Sequence, residues 1–145
     1  DISGTVFWEL RNADAEILQS GSSDITVAAL SAYNLPVLDF NKTDVRNNYI
    51  SFCFVANGET VSSGTAIFTR FKHYDFKNPN LCYEIEGDEI TVYADAYAKY
   101  VEIDSPDSDF VLSDNYFDMN GGKKTVKILE GAPKTIRLRS VYDIR

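Results

Sequence analysis

The sequence predicts an all-β protein made of two small β-sandwiches in tandem. Short runs of β-branched and aromatic residues recur through all 145 residues, and these residue types favour strands. Turn-forming pairs such as Asn57-Gly58 separate the runs at short intervals. No stretch has the apolar period of about 3.6 residues that marks an amphipathic helix. Together these observations favour sandwiches over helical or mixed folds.

Five strands are expected in the first half. Val6, Trp8 and Leu10 alternate with other residues, so they should share one face of the first strand, with Trp8 packed in the core. Asn12 to Ala15 predicts a hairpin turn, and Gly21 to Ser23 predicts a second turn. The expected strands are Thr5 to Leu10, Glu16 to Gln19, Ile25 to Leu30, Tyr49 to Val55 and Val61 to Thr69.

The stretch from Phe71 to Asn80 is typical of a linker. It is polar, mixed in charge and closed by an Asn-Pro pair. Because short strands and turns recur on both sides of it, the sequence predicts one sandwich over residues 1–72 and a second over residues 73–145.

The second half contains one long predicted strand. Ile90, Val92 and several alanines of this strand share one parity, whereas Val101 and Ile103 have the other. The phase therefore slips between Ala98 and Val101, which predicts a β-bulge or a step to the other sheet. The expected strands are Leu81 to Ile85, Glu89 to Ile103, Thr125 to Leu129 and Thr135 to Ile144.

A polar corner lies between two apolar bursts near the C-terminus. The corner is Ser113-Asp114-Asn115, and Asn120-Gly121-Gly122 follows as an expected turn. Short Asp and Asn side chains can bond backbone N–H groups that have lost their strand partners. The corner is therefore predicted to be structural. The alternative is a carboxylate, Asp114 or Asp118, presented to a ligand.

Composition argues against several classes of partner. The chain has 22 acidic and 14 basic residues and a formal net charge of −8, which a nucleic acid or an anionic membrane would repel. It has no apolar run near about 20 residues, and its start lacks the pattern of a signal peptide. Because it opens on Asp1 rather than Met, we expect a piece of a longer soluble protein, bacterial cytoplasmic or secreted. No nucleic-acid or membrane partner is expected.

The sequence contains no pattern typical of a zinc site or a catalytic triad. His73 is the only histidine, and Cys53 and Cys82 have no ligands at zinc-site spacing. Both cysteines lie in apolar runs, where free thiols are common. A disulfide between them is the less favoured alternative, because sequence does not reveal the required geometry.

Two further patterns are weak. Asp104, Asp107 and Asp109 could ligate calcium, but the ligand order of an EF-hand is missing, so a solvated acidic loop is favoured. Asn41-Lys42-Thr43 is a glycosylation sequon, which has meaning only in a secretory eukaryotic protein. We therefore expect no metal and no cofactor.

The corner also carries a family resemblance. Together with the glycines that follow it, this stretch resembles the signature of the C-terminal immunoglobulin-like domain of β-mannosidases, which belong to glycoside hydrolase family two. The run from Ala94 to Val101 resembles the strand before that signature, and Arg139 to Asp143 resembles the last strand of the domain. The signature residues are Ser113, Asp114, Asn115, Tyr116, Phe117 and Asp118.

The resemblance extends into the first half. Gly4 to Arg11 resembles the tryptophan-containing strand of the penultimate immunoglobulin-like domain in the same enzymes. In that family another strand usually precedes it, and this chain begins too late to include one. The resemblance therefore implies an immunoglobulin-like sandwich over residues 1–72 that lacks its first strand, and a C-terminal immunoglobulin-like sandwich over residues 73–145.

The resemblance implies an accessory function. In the family the catalytic glutamates lie on a separate (β/α)8 barrel, which needs about 250 residues, so no catalytic residue is expected here. The implied partner is that barrel, on which the chain would pack. A stand-alone carbohydrate-binding module and an adhesion-type immunoglobulin-like domain are the alternatives. The open sheet edge of the first sandwich could also pair with a second copy of the chain.

Overall fold

The computed structural model describes every residue except Asn41. The all-β prediction is confirmed, because the strands form two antiparallel sheets. The chain divides into two compact units. Unit 1 comprises residues 1–12 and 16–74, and unit 2 comprises residues 13–15 and 75–145.

Unit 1 contains a four-stranded sheet in the order β2-β1-β3-β4. Its central pairing sets Val6 opposite Phe54 and Trp8 opposite Phe52. Asn57 and Gly58 both have positive φ, so the hairpin predicted at this pair is confirmed. The strands are β1 Ile2–Asn12, β2 Ile17–Val27, β3 Asn48–Ala56 and β4 Glu59–Ile67.

The turn predicted at Gly21 to Ser23 is wrong. These residues lie within β2, which continues from Ile17 to Val27 as one strand. Gly21 pairs with Trp8, and a Cβ on Gly21 would lie 2.4 Å from the Trp8 ring. The glycine therefore marks a close approach of an aromatic ring to the backbone rather than a turn.

Trp8 is half-buried beneath an aromatic group instead of lying in a closed core. The Phe40 ring meets Trp8 edge-on at 5.4 Å between centroids and Phe68 at 6.2 Å. Phe40 ends a segment, residues 28–40, that has neither helix nor strand. The sequon predicted at Asn41 lies outside the described residues.

The stretch predicted to be a linker contains well-buried residues. Tyr74 is 2% exposed and its hydroxyl donates to the Asn47 carbonyl within unit 1. Phe76 is 6% exposed and stacks on Tyr97 within unit 2, with 5.9 Å between ring centroids. Sequence polarity suggested solvation, but the aromatic residues of this stretch anchor it to the units on either side of residue 74.

Unit 2 contains a five-stranded sheet in which β5-β6-β8-β7 follow one another and β9 pairs with the end of β6. Residues Ala13–Ala15 belong to this unit, and the Ala13 carbonyl accepts the Tyr97 N–H. The elements are β5 Cys82–Glu86, β6 Glu89–Asp104, β7 Val111–Leu112, β8 Phe117–Glu130, β9 Arg137–Arg139 and α1 Val141–Ile144.

Two expectations for the end of the chain are wrong. Asn120-Gly121-Gly122 is not a turn between strands but part of β8, and both glycines have φ of +69° opposite a bulge in β6. The strand expected over Thr135 to Ile144 is only three residues long, and α1 follows it. The Ser140 N–H donates to the Asp143 carboxylate at 2.8 Å, which caps the start of this helix.

Candidate functional site: the corner before strand β8

The predicted phase slip is confirmed as a β-bulge in the middle of β6. Ala98 pairs with Met119 and Val101 pairs with Phe117, so two residues of β6 face one residue of β8. The two bulged residues are Lys99 and Tyr100, and Tyr100 has φ of +52°. The bulge moves Val101 onto the core side, where it is fully buried.

Asp118 is the β8 residue opposite this bulge, and its carboxylate binds both bulged residues. One oxygen accepts the Tyr100 N–H at 3.0 Å, and the other lies 2.8 Å from the Lys99 ammonium. The side chains of Lys99 and Asp118 are only 8% and 13% exposed. A partly desolvated charge pair of this kind strengthens both bonds, so Asp118 is engaged in holding the bulge.

Asn115 takes the place of a strand partner for the end of β6. Its Oδ1 accepts the Ile103 N–H at 2.8 Å, and its Nδ2 donates to the Ile103 carbonyl at 2.9 Å. The same Oδ1 also accepts the Tyr116 N–H at 2.9 Å. The side-chain amide thus satisfies both backbone groups of a residue that is 2% exposed.

Ser113 and Asp114 connect the corner to β8. The Ser113 N–H donates to the Lys127 carbonyl at 2.8 Å, and the Lys127 N–H donates to Ser113 Oγ at 2.9 Å. Asp114 accepts the Asn115 N–H at 2.9 Å and lies 3.1 Å from the Lys124 ammonium. The Asp114 side chain is 49% exposed, so its ion pair is weak.

The two aromatic residues of the signature face in different directions. Phe117 begins β8 and is buried in the core of unit 2. Tyr116 has φ of +57° and is 61% exposed, and its hydroxyl lies 3.4 Å from Glu102 Oε1. A positive φ is uncommon for a bulky residue.

Charges on β6 and β9 form a cross-strand ladder that sequence reasoning missed. Arg139 donates to Glu102 Oε2 through Nε at 3.0 Å and Nη2 at 2.6 Å, and Arg137 pairs with Asp104. The bonds to Glu102 raise the pKa of Arg139. The sequence does contain the pattern of this ladder. Two acids separated by one residue, Glu102 and Asp104, match two arginines separated by one residue, Arg137 and Arg139, and opposite charges on facing strands favour cross-strand pairs.

The candidate calcium ligands do not converge. Asp104 is bound to Arg137, while Asp107 accepts the hydroxyls of Ser105 and Ser108. The Ser105 hydrogen bond lowers the pKa of Asp107. Within residues 1–40 and 42–145, no three His, Cys, Asp or Glu side chains are grouped to hold a metal ion.

The remaining sequence candidates are also dispersed. Cys53 belongs to unit 1 and Cys82 to unit 2, and both thiols are free.

In the described part of the chain, no helix is long and apolar enough to cross a membrane.

Family models account for nearly the whole chain. Residues 1–73 match the mannosidase Ig/CBM-like domain, and residues 76–144 match the Ig-fold domain of mannosidases. The chain belongs to the mannosidase immunoglobulin-like domain family. Both matches are to immunoglobulin-like domains of mannosidase-like glycoside hydrolases.

A solved structure supports the fold. The mannosidase-type domains resemble part of the β-D-mannosidase from Dictyoglomus thermophilum with a TM-score of 0.77 and 14% sequence identity. The match covers 96% of this chain and 18% of the D. thermophilum chain. This chain therefore spans less than a fifth of that protein. No curated protein matches the chain by sequence.

Proposed function

We propose that the chain packs on and supports the catalytic barrel of a β-mannosidase-like parent enzyme. The observation that carries this proposal is the pair of matches to mannosidase accessory domains over residues 1–73 and 76–144. Unit 1 also exposes large apolar side chains, among them Phe7 at 43%, Phe52 at 41% and Val61 at 54%. Exposed apolar surface of this kind is typical of an interface.

Truncation of the parent enzyme tests the supporting role. Removing this segment should lower the melting temperature of the barrel, and adding the chain in trans should restore part of it. The chain alone should release no nitrophenol from a nitrophenyl β-mannoside. Nitrophenol release above a blank would contradict the proposal if one Asp or Glu substitution abolished it. A barrel whose melting temperature is the same with and without the segment would also contradict it.

We propose that the signature residues Ser113, Asp114, Asn115, Tyr116, Phe117 and Asp118 act structurally. Asn115 and Asp118 bond backbone groups of β6, and Ser113 bonds backbone groups of β8. Such bonds remove the desolvation cost of unpaired backbone groups. Substitutions at Asn115 and Asp118 should therefore lower the melting temperature before they alter any binding.

We also propose that residues 1–72 and 73–145 are separate domains. Lys72 and Lys77 are exposed, so brief trypsin treatment of the folded chain should cut first near this boundary. Two stable fragments are expected by mass spectrometry. First cleavage inside either half would argue against the boundary.

Self-association is a further proposal, based on the outer strands of unit 1. β2 and β4 flank its four-stranded sheet, and neither carries the row of charges that blunts an edge. We expect dimers at high concentration. Sedimentation over a range of concentrations tests this, and replacing Val61 with Lys on β4 should weaken the association. A strict monomer would overturn it.

A further inference from the structure

Unit 2 contains a pocket of about 450 Å³ beside the signature corner. The end of β6, residues 105–110 and the corner itself form its walls. Its apolar lining comes from Ile103, Phe110 and Leu112, all of which belong to or pack against the core. The pocket size lies in the range that holds small ligands, about 300–1,000 Å³.

The polar lining consists mainly of hydrogen-bond acceptors. Glu102 and Asp104 each bind an arginine through one carboxylate oxygen, which fixes their orientation and leaves the second oxygen available. The second oxygen of Glu102 has only the 3.4 Å contact with the Tyr116 hydroxyl. Among the described residues, the Asp109 carboxylate makes no hydrogen bond or ion pair. Carboxylates accept and do not donate, so a suitable ligand must supply donors.

The charge of the pocket favours a neutral ligand over a cation. Arg139 and Arg137 already compensate Glu102 and Asp104. Asp109 is then the one carboxylate of the lining without a compensating partner among the described residues. A site with fixed acceptors and little net charge suits a molecule with several hydroxyl donors.

An aromatic side chain at the rim completes the pocket. Tyr116 lines it, is 61% exposed, and is held at positive φ by the Asn115 bond to its N–H. An exposed aromatic face can pack against the C–H face of a sugar ring, while the ring hydroxyls bond polar groups. A pyranose has C–H faces that can pack on the aromatic ring and the apolar lining, and hydroxyls around its edge that can donate to the fixed acceptors.

We infer that this pocket binds a pyranoside, with Tyr116 packing on the ring and Glu102, Asp104 and Asp109 accepting its hydroxyls. The inference goes beyond the supporting role and does not depend on it. Sugar binding is measured on the chain alone, whereas support is measured on the barrel, so either can fail without the other.

Titration of the labelled chain by two-dimensional NMR tests the inference. The probes are methyl β-mannoside, methyl β-glucoside and methyl β-galactoside. At least one should give saturable shifts confined to amides of residues 102–116. Tyr116→Asn, in which asparagine tolerates the positive φ, and Asp109→Asn should each raise the dissociation constant about tenfold, near 1.4 kcal/mol.

Tyr100→Asn is the matched control. Tyr100 is also an exposed tyrosine at positive φ, but it does not line the pocket. It should leave sugar binding unchanged. Asp109→Asn removes no contact, so it keeps the test valid if Tyr116→Asn fails to fold. Absence of saturable shifts with all three sugars would overturn the inference. Unchanged affinity in both pocket variants, or binding of spermidine instead of sugars, would overturn it as well.

Discussion

The two units differ more in burial than in secondary structure. Unit 1 has four strands of nine to eleven residues, yet fourteen of its large hydrophobic side chains are exposed, against seven in unit 2. These counts refer to the described residues. A β-sheet must cover its apolar face to be stable. Strand propensity therefore sets where strands form, while core formation depends on how the sheet closes.

Unit 2 closes because its long strand changes phase. Ile90 and Val92 near the start of β6 and Val101 and Ile103 near its end lie in one core cluster, although their parities differ. The register shift between Ala98 and Val101 brings both sets to the same side, because Ala94 and Ala98 still share one parity in the cluster. β1 of unit 1 keeps a single register with β3 throughout, so the alternation of its two faces is not interrupted there.

Loss of the carboxylate at the bulge should have the largest effect. Asp118→Asn removes the negative charge 2.8 Å from the Lys99 ammonium, whose side chain is 8% exposed, and breaking a buried pair costs about 3–5 kcal/mol. Urea unfolding measures the free energy change. Asp114→Asn, at an exposed pair, is the control and should cost less than about 1 kcal/mol. If Asp118→Asn and Asp114→Asn lowered the free energy of unfolding equally, the ion pair at the bulge would not account for the stability of unit 2.

A core truncation should distinguish the units next. Ile90 is fully buried in unit 2, whereas Ile2 in unit 1 is 38% exposed. Ile90→Ala should lower the free energy of unfolding by about 2–5 kcal/mol through lost burial and a cavity. Ile2→Ala should cost less than about 1 kcal/mol. A large cost at Ile2 would show that another layer covers the unit 1 sheet in solution.

The corner should have an intermediate effect. Asn115→Ala leaves the N–H and C=O groups of Ile103 without their partner, which costs about 1–3 kcal/mol. Asp114→Ala removes an exposed ion pair with Lys124 and an exposed hydrogen bond from the Asn115 N–H, and because both groups can bond to water instead it should cost less than about 1 kcal/mol. Thermal melts compare the two. A reversed order would mean that the carboxylate, rather than the amide, holds the corner.

Acid should have the smallest effect, confined to the loop beside the pocket. The Ser105 bond lowers the pKa of Asp107 below its usual 3.8. Its stabilising contribution is therefore complete above pH 3.8 and is lost as the pH falls through the lowered value. Amide shifts of residues 105–110 should follow this titration, and Asp107→Asn should abolish it. A titration of these shifts centred above pH 3.8 would contradict the prediction, because it would mean that folding raises the pKa of Asp107.

Much of the architecture follows from the sequence by local rules. The hairpin at Asn57-Gly58 and the bulge after Ala98 were predictable, because turn chemistry and the two-residue period act over a few neighbours. The signature corner was also visible, because a run of short polar residues between apolar bursts is a local pattern.

Tertiary structure decided what those residues contact. Gly21 and Gly121 both look like turn residues in the sequence, yet both lie inside strands, one under the Trp8 ring and one opposite a bulge. Which of Asp114, Asn115 and Asp118 holds the backbone of β6 depends on residues 12 and 18 positions away. The pocket likewise joins β6 to a loop and a corner. Such long-range contacts are fixed by the closure of a sheet, because local propensity does not encode which distant strands will meet.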